Sequence, residues 1–225
     1  MLSAIIYKEV LKCYKVIIFF ILLISFSLLF TFVDIKNIVS GMNVTQAILE
    51  ISFKGKFDFN YIHYLCIIFS VSLGIVQFYP EINNARIRLY LHLPLSHFTL
   101  ITILIFTGII FLAILFVVIS IFYYFIITRY YPQEIFDAIF SKMLPMFILS
   151  FLCYLTTILA FIEPKIMKKV IYVLVSFLIL IIYLPLSQSE FFVSYKLNII
   201  GIFIILVYIF TIYKVFTSYT KGYIK

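Results

Sequence analysis

The sequence has no tryptophan, only six glycines and three cysteines among its 225 residues, and only 12% of its residues are charged. None of the glycines belongs to a Gly-x-x-x-x-Gly-Lys-Ser/Thr loop, which nucleotide hydrolysis requires. The sequence also lacks a Gly-x-Ser-x-Gly elbow and a His-Glu-x-x-His zinc motif. These absences predict that the chain is not an enzyme.

The three histidines do not have the spacing of a haem or metal site. His63 lies one turn inside an apolar run, whereas His92 and His97 fall at the opposite end of that run, outside it. Haem or a metal ion in a membrane needs ligands at matching depths on facing helices. We therefore expect no bound cofactor, and we interpret His63 as an interfacial or helix-contact residue.

The composition is that of a membrane protein. Apolar residues make up 65% of the sequence, and the mean hydropathy is +1.22. A soluble domain of this length could not bury so much apolar surface. The basic excess, +8 at pH 7, has no interleaved basic and aromatic patch outside the apolar runs, so we expect the lipid bilayer and not nucleic acid as its partner.

Charged residues divide the sequence into apolar runs close to the roughly 20 residues that cross a hydrocarbon core as a helix. The longest run, 89–128, contains Pro94, Ser96 and two histidines in its first third, which are typical of a turn. We therefore predict that the third helix begins near Phe98. The predicted fold is all-α, a single transmembrane domain over residues 1–225. Its six spans are predicted at about 16–33, 59–80, 98–128, 143–162, 170–186 and 197–213.

The distribution of charge predicts the orientation. With six spans both termini lie on one side of the membrane, and that side holds eleven of the 17 basic residues but only three of the nine acids. It therefore carries the whole net charge of +8. Because basic residues favour the cytoplasmic side, we expect a multi-pass protein of the inner (cytoplasmic) membrane with both termini in the cytoplasm.

Residues 1–14 have the pattern of an interfacial amphipathic helix. Lys8, Lys12 and Lys15 fall in one narrow stripe at 100° per residue, and apolar residues cover the opposite side. Such a helix lies along the membrane surface, with its lysines toward anionic headgroups. The same residues also suit an ordinary charged start to the first span.

The predicted span interiors contain no acid or base, and we expect no pair of carboxylates to face each other within a span. Ion-coupled transporters usually carry such a group inside the membrane. The polar residues present are mild, and small or hydroxylated residues are normal in helix packing. A role for some of them along a translocation path stays open. These residues are Ser70, Ser72, Gln77, Thr102, Thr107, Thr156, Thr157 and Ser176.

The stretch 79–97, YPEINNARIRLYLHLPLSH, is predicted to be a cytoplasmic loop between spans two and three. Glu81, Arg86 and Arg88 place opposite charges on a short helix outside the membrane. Apolar contacts come from Leu91 and Leu93 among others, and the helix breaks at Pro94. Such a segment suits docking into a groove on a soluble partner, and it also suits a solvated connector.

This stretch resembles the inner loop of ABC-2 type transporter permeases. That loop has an acid, an arginine, apolar residues and a Leu-Pro-apolar-Ser turn, followed by a long third span. The chain matches with Glu81, Arg86, Leu91, the Leu-Pro-Leu-Ser segment 93–96 and the apolar run from Phe98. The N-terminal lysine and acid pair, Lys8 and Glu9, and the six spans also fit the family. The match covers the whole chain in topology and about 20 residues in motif.

The resemblance implies an exporter permease driven by a separate ATPase. Two such chains, or one and a similar chain, pair and bind two cytoplasmic ABC ATPase subunits, which hold the ATP. Each ATPase docks on a coupling helix in the loop between spans two and three, so that Glu81, Arg86, Arg88, Leu91, Leu93, Pro94 and Ser96 form the docking site. The substrate class stays open. The alternative is a non-transporting membrane scaffold or assembly subunit of a larger complex.

Overall fold

The computed structural model describes residues 2–41, 60–83, 96–187 and 191–220. These four stretches are helical, with short turns at 129–132 and 163–165 within the third, and contain no strand. In chain order the helices are α1 Leu2–Gly41, α2 Asn60–Asn83, α3 His97–Thr128, α4 Gln133–Ile162, α5 Ile166–Ser187 and α6 Phe191–Thr220.

Every helix is long enough and apolar enough to cross a membrane. The six candidate segments range from 18 to 35 residues, and about 20 residues span a hydrocarbon core. The prediction of an all-α chain with six apolar helices is therefore confirmed, and these are the features of a multi-pass membrane protein. The segments are Ser3–Asn37, Ile62–Ile82, Phe98–Thr128, Ile139–Ile162, Ile166–Tyr183 and Lys196–Ser218.

The start of α3 agrees with the turn chemistry of the sequence. Ser96 has extended backbone angles, φ −62° and ψ 139°, and its hydroxyl accepts a hydrogen bond from the Thr99 amide at 3.1 Å. This arrangement is an N-cap, which satisfies one of the unpaired amides in the first turn of a helix. The helix then begins at His97, next to the predicted start at Phe98.

α4 is the central helix of the bundle. It packs most extensively against α6 and α2, and also contacts α5 and α3, whereas α1 packs on α2 and α3. In the apolar segment of α4, 67% of the residues are buried, against 6% in α5. Helix α5 therefore presents most of its surface to the surroundings, and in a membrane that surface faces lipid or another protein.

The first helix differs from the predicted division into an interfacial helix and a span. Residues 2–41 form one continuous helix, since the sequence places neither proline nor glycine before Gly41 to break it. Of the predicted apolar face, Ile6 and Tyr14 are 43% and 42% exposed, while Cys13 is fully buried with Glu9 against the bundle.

Candidate functional site

A cluster of four charged side chains joins α1 to α2. The Lys12 ammonium lies 2.5 Å from Glu9 Oε1 on its own helix and also contacts Glu81 Oε1 on α2. Lys8, one turn before Lys12, places its ammonium 3.1 Å from the same Glu81 oxygen. We call Lys8, Glu9, Lys12 and Glu81 the ion cluster. Its two positive and two negative charges balance, as buried charges must.

The two carboxylates of the ion cluster are buried almost completely. The side chains of Glu9 and Glu81 are 0% and 1% exposed, Lys12 is 14% exposed and Lys8 is 40% exposed. The Oε2 atom of each carboxylate has no hydrogen-bond partner among the described residues. Since a buried carboxylate without its cation is strongly unfavourable, Lys12 is the residue on which the cluster depends, and Lys8 is a half-exposed addition.

A buried hydrogen-bond network continues from the ion cluster into α3 and α4. Gln77 lies one turn before Glu81 on the same face of α2. Its Nε2 donates to the Leu104 carbonyl at 2.6 Å and to Thr107 Oγ1 at 3.0 Å, both on α3. The Tyr154 hydroxyl on α4 donates to Gln77 Oε1 at 2.7 Å. Through Glu81 and Gln77, consecutive turns of α2 therefore contact polar groups of α1, α3 and α4.

Gly108 makes room for the Tyr154 phenol. A Cβ atom added at Gly108 would overlap the Tyr154 hydroxyl and ring, with the ring carbon Cε2 at 2.8 Å. Real Cβ atoms do not approach other atoms so closely, because cores are packed to crystal density. The absence of a side chain at Gly108 thus allows Tyr154, which is fully buried, to reach Gln77.

The structure describes six of the eleven predicted site residues. Glu81, Lys8, Glu9 and Lys12 are brought together in the ion cluster, and Lys15 is exposed with its ammonium 6.0 Å from the centre of the Tyr14 ring. Of the rest, Ser96 caps α3 at the far end of the predicted loop. The others lie outside the described residues: Arg86, Arg88, Leu91, Leu93 and Pro94.

Glu9 and Glu81 lie just outside the spans predicted at 16–33 and 59–80, so the ion cluster falls beyond the ends of those predicted spans. Both lie inside apolar helical segments and both contact Lys12. The predicted division between residues 1–14 and the first span separates Glu9 from the apolar helix, whereas α1 is continuous over Leu2–Gly41. Two signals in the sequence indicate the pairing: Glu9 and Lys12 have helical i,i+3 spacing, and Glu81 ends an apolar run on the same predicted side.

Most of the mild polar residues bond within their own helix. The hydroxyls of Ser70, Ser72 and Thr102 each donate to a carbonyl three or four residues earlier in their own helix. Such local bonds satisfy the hydroxyl without a partner helix. Gln77 and Thr107 bond to each other across α2 and α3, and the Ser176 hydroxyl lies 3.4 Å from that of Tyr208 on α6. Tyr154, which the sequence analysis missed, completes the network of Gln77 and Thr107.

Comparisons of this chain with family models, with curated proteins and with solved structures give no match.

Proposed function

We propose that this chain is the membrane-spanning permease subunit of an ATP-driven exporter of the ABC-2 type. The ATPase is a separate cytoplasmic subunit that docks on the loop between α2 and α3. Two permease chains, identical or similar, and two ATPase subunits form the transporter. Both termini lie in the cytoplasm, and the membrane is the inner one.

The observation that carries the proposal is the position of Glu81. It lies in the last turns of α2, directly before the segment that resembles a coupling loop, and it is ion-paired with Lys8 and Lys12 of α1. Gln77, one turn before Glu81 in α2, bonds to α3 and α4. A displacement of the loop therefore acts on buried polar contacts to three other helices. A loop that only connected two helices would not need such contacts.

The cost of a buried ion cluster supports a role beyond stability. A buried ion pair is often no more stabilising than an apolar pair of the same volume, and one of its best-attested uses is to fix a specific arrangement of elements. Ionisable groups within membrane segments are in general rare and functional. In the proposed transporter the ion cluster holds α1 in a fixed position relative to the end of α2, where the loop begins.

The proposal is tested by crosslinking from the loop. A photo-crosslinking residue at Leu91 should attach the chain to an ATPase subunit that carries a Gly-x-x-x-x-Gly-Lys-Ser/Thr loop, and ATP should change the yield. The same residue at Phe203, which is 66% exposed in the middle of α6, should give no ATPase adduct. Attachment of the loop to an integral membrane protein without ATP dependence would instead identify the chain as a scaffold subunit.

A further inference from the structure

An aromatic groove runs between α3 and α4 in the half of the bundle nearest their connecting turn. We call it the α3–α4 groove; its walls include Phe116, Ile121, Phe125, Phe136, Phe140 and Phe147. Its volume is about 640 Å³, within the range of roughly 300 to 1,000 Å³ that is common for ligand sites. Because the rim residues Val117 and Phe125 are 57% and 66% exposed, the groove opens on the outer surface of the bundle.

The groove walls offer almost no hydrogen-bonding group. Ser120 donates its hydroxyl to the Phe116 carbonyl of its own helix at 2.8 Å, so it is already satisfied. The Tyr124 hydroxyl is the other polar side-chain group of the lining. The aromatic walls are held by ring contacts, with Phe116 stacked on Phe147 at 4.4 Å and Tyr124 edge-on to Phe136 at 5.2 Å. Such walls suit a hydrocarbon chain and disfavour a polar solute.

The basic residue Arg129 lies at the end of the α3–α4 groove where a lipid headgroup would lie. Ile121 and Phe125 line the groove, and Arg129 is the next residue at i+4 spacing on the same face. Its backbone angles, φ −71° and ψ −30°, continue the helix, and its side chain is exposed. Asp137 on α4 is also exposed, but it is one residue off the face of Phe136 and Phe140 and forms no ion pair with Arg129.

A second groove repeats this arrangement at the other end of α3. It has a volume of about 410 Å³ and lies between α3 and α6, with walls that include Ile105, Phe106 and Phe210. Lys214 follows Phe210 at i+4 spacing near the end of α6 and is exposed. The grooves therefore lie in opposite halves of the apolar helices, and each ends at a basic residue near a helix terminus.

We propose that the α3–α4 groove is a binding site for an anionic phospholipid, with one acyl chain between the aromatic walls and the phosphate at Arg129. The site at α3 and α6, with Lys214, is its counterpart in the other leaflet. Basic residues beside grooves between membrane helices attract anionic headgroups. Arginine suits this position, since its long side chain reaches the interface while its stem stays on apolar surface.

The absence of tryptophan from the sequence allows a direct test. We would place a single tryptophan at Phe125, in the groove, or at Phe177, which is 60% exposed on α5 and lines neither groove. Each full-length variant is reconstituted in phosphatidylcholine vesicles. Quenching is then measured with small mole fractions of brominated phosphatidylglycerol or brominated phosphatidylcholine. A tryptophan at Ile121, on the same face, replaces Phe125→Trp should that variant not fold.

At the groove tryptophan we expect brominated phosphatidylglycerol to quench with a preference of about fivefold over brominated phosphatidylcholine, which is the effect of one cation near an anionic surface. At Phe177→Trp we expect equal quenching by both lipids. Arg129→Gln should remove the headgroup preference. Ser120→Leu, which adds carbon atoms inside the groove, should weaken quenching by both lipids. Equal quenching by both headgroups at the groove tryptophan, or a preference that survives Arg129→Gln, would overturn the proposal.

Discussion

Lys12 of α1 contacts Glu81 of α2, and the same ammonium group lies 2.5 Å from Glu9. One lysine therefore contacts two carboxylates that are both buried, at 0% and 1% exposure. Lys8, at 40% exposure, lies 3.1 Å from Glu81. This inequality predicts that the two lysines, only one turn apart on one helix, contribute very differently to the protein.

Lys12→Met should destabilise the protein strongly. It leaves Glu9 and Glu81 buried without their shared cation, and removing one partner from a buried ion pair costs about 3 to 5 kcal/mol. Lys8→Met should cost at most about 1 kcal/mol, because Lys8 is 40% exposed and Glu81 keeps its contact with Lys12. The measurement is the thermal midpoint of the detergent-solubilised protein by fluorescence-detected size exclusion, with the exposed Lys15→Met as the matched control.

A second substitution separates charge from packing at Lys12. Glu9→Gln removes one of the two carboxylates, so in the Lys12→Met background it should restore part of the lost stability. Equal losses in Lys8→Met, Lys12→Met and Lys15→Met would contradict the ion cluster as a buried structural element.

Gly108→Ala should destabilise the contact between α3 and α4. The added methyl group overlaps the Tyr154 ring, and overpacking a filled core costs about 1 to 3 kcal/mol. Tyr154→Leu should also destabilise, because it leaves the buried Gln77 carbonyl oxygen without its donor, at about 1 to 3 kcal/mol. The double variant should lose less than the two single losses combined, since the leucine frees the space that the methyl group needs. Thermal midpoints of the four proteins measure this coupling; additive losses would mean that Tyr154 and Gly108 are not in contact.

The sequence was sufficient for the helices but not for the contacts between them. Six apolar runs bounded by charges predict six helices, and the Leu-Pro-Leu-Ser turn predicts the start of α3 within one residue, because length, polarity and capping are local properties. The ion cluster depends on the rotation of α1 against α2, which local properties do not determine. The lysine stripe alone predicts that Lys8 and Lys12 face outward, whereas the burial of Glu9 turns that face inward.

Tyr154 illustrates the same limit. A tyrosine in the middle of an apolar helix needs a partner for its hydroxyl, so the sequence indicates that a partner exists. Which one it is depends on the space left by Gly108 on a different helix. No motif or spacing in the sequence connects Tyr154 with Gly108.

The predicted orientation can be tested with single cysteines. The three natural cysteines are buried, so they should give little background with a membrane-impermeant maleimide. In intact cells, Lys54→Cys in the predicted outer segment should be labelled, while Lys168→Cys, which is exposed in the described structure, should be labelled only after permeabilisation. The reverse pattern would place the loop between α2 and α3 outside the cell and exclude an ATPase partner.

The proposed coupling role predicts two different defects in neighbouring residues. Arg86→Glu and Leu93→Asp change the surface that is proposed to dock the ATPase, one by reversing a charge and one by burying an unpaired carboxylate. Both should reduce copurification of the ATPase, since loss of one partner of a buried interfacial ion pair costs about 2 to 5 kcal/mol or more. Glu81, which the resemblance includes in the docking site, is 1% exposed, so Glu81→Gln alters its contact with α1 and leaves the exposed part of the docking surface intact. It should therefore retain the ATPase but uncouple ATP hydrolysis from transport.

Three measurements on all three variants distinguish the two defects: membrane insertion, ATPase copurification and substrate-stimulated hydrolysis. If Arg86→Glu and Leu93→Asp both keep the ATPase and its stimulation, the loop is a connector and the export proposal loses its main support. If Glu81→Gln instead loses the ATPase along with them, Glu81 belongs to the docking surface itself and does not transmit its movement to α1.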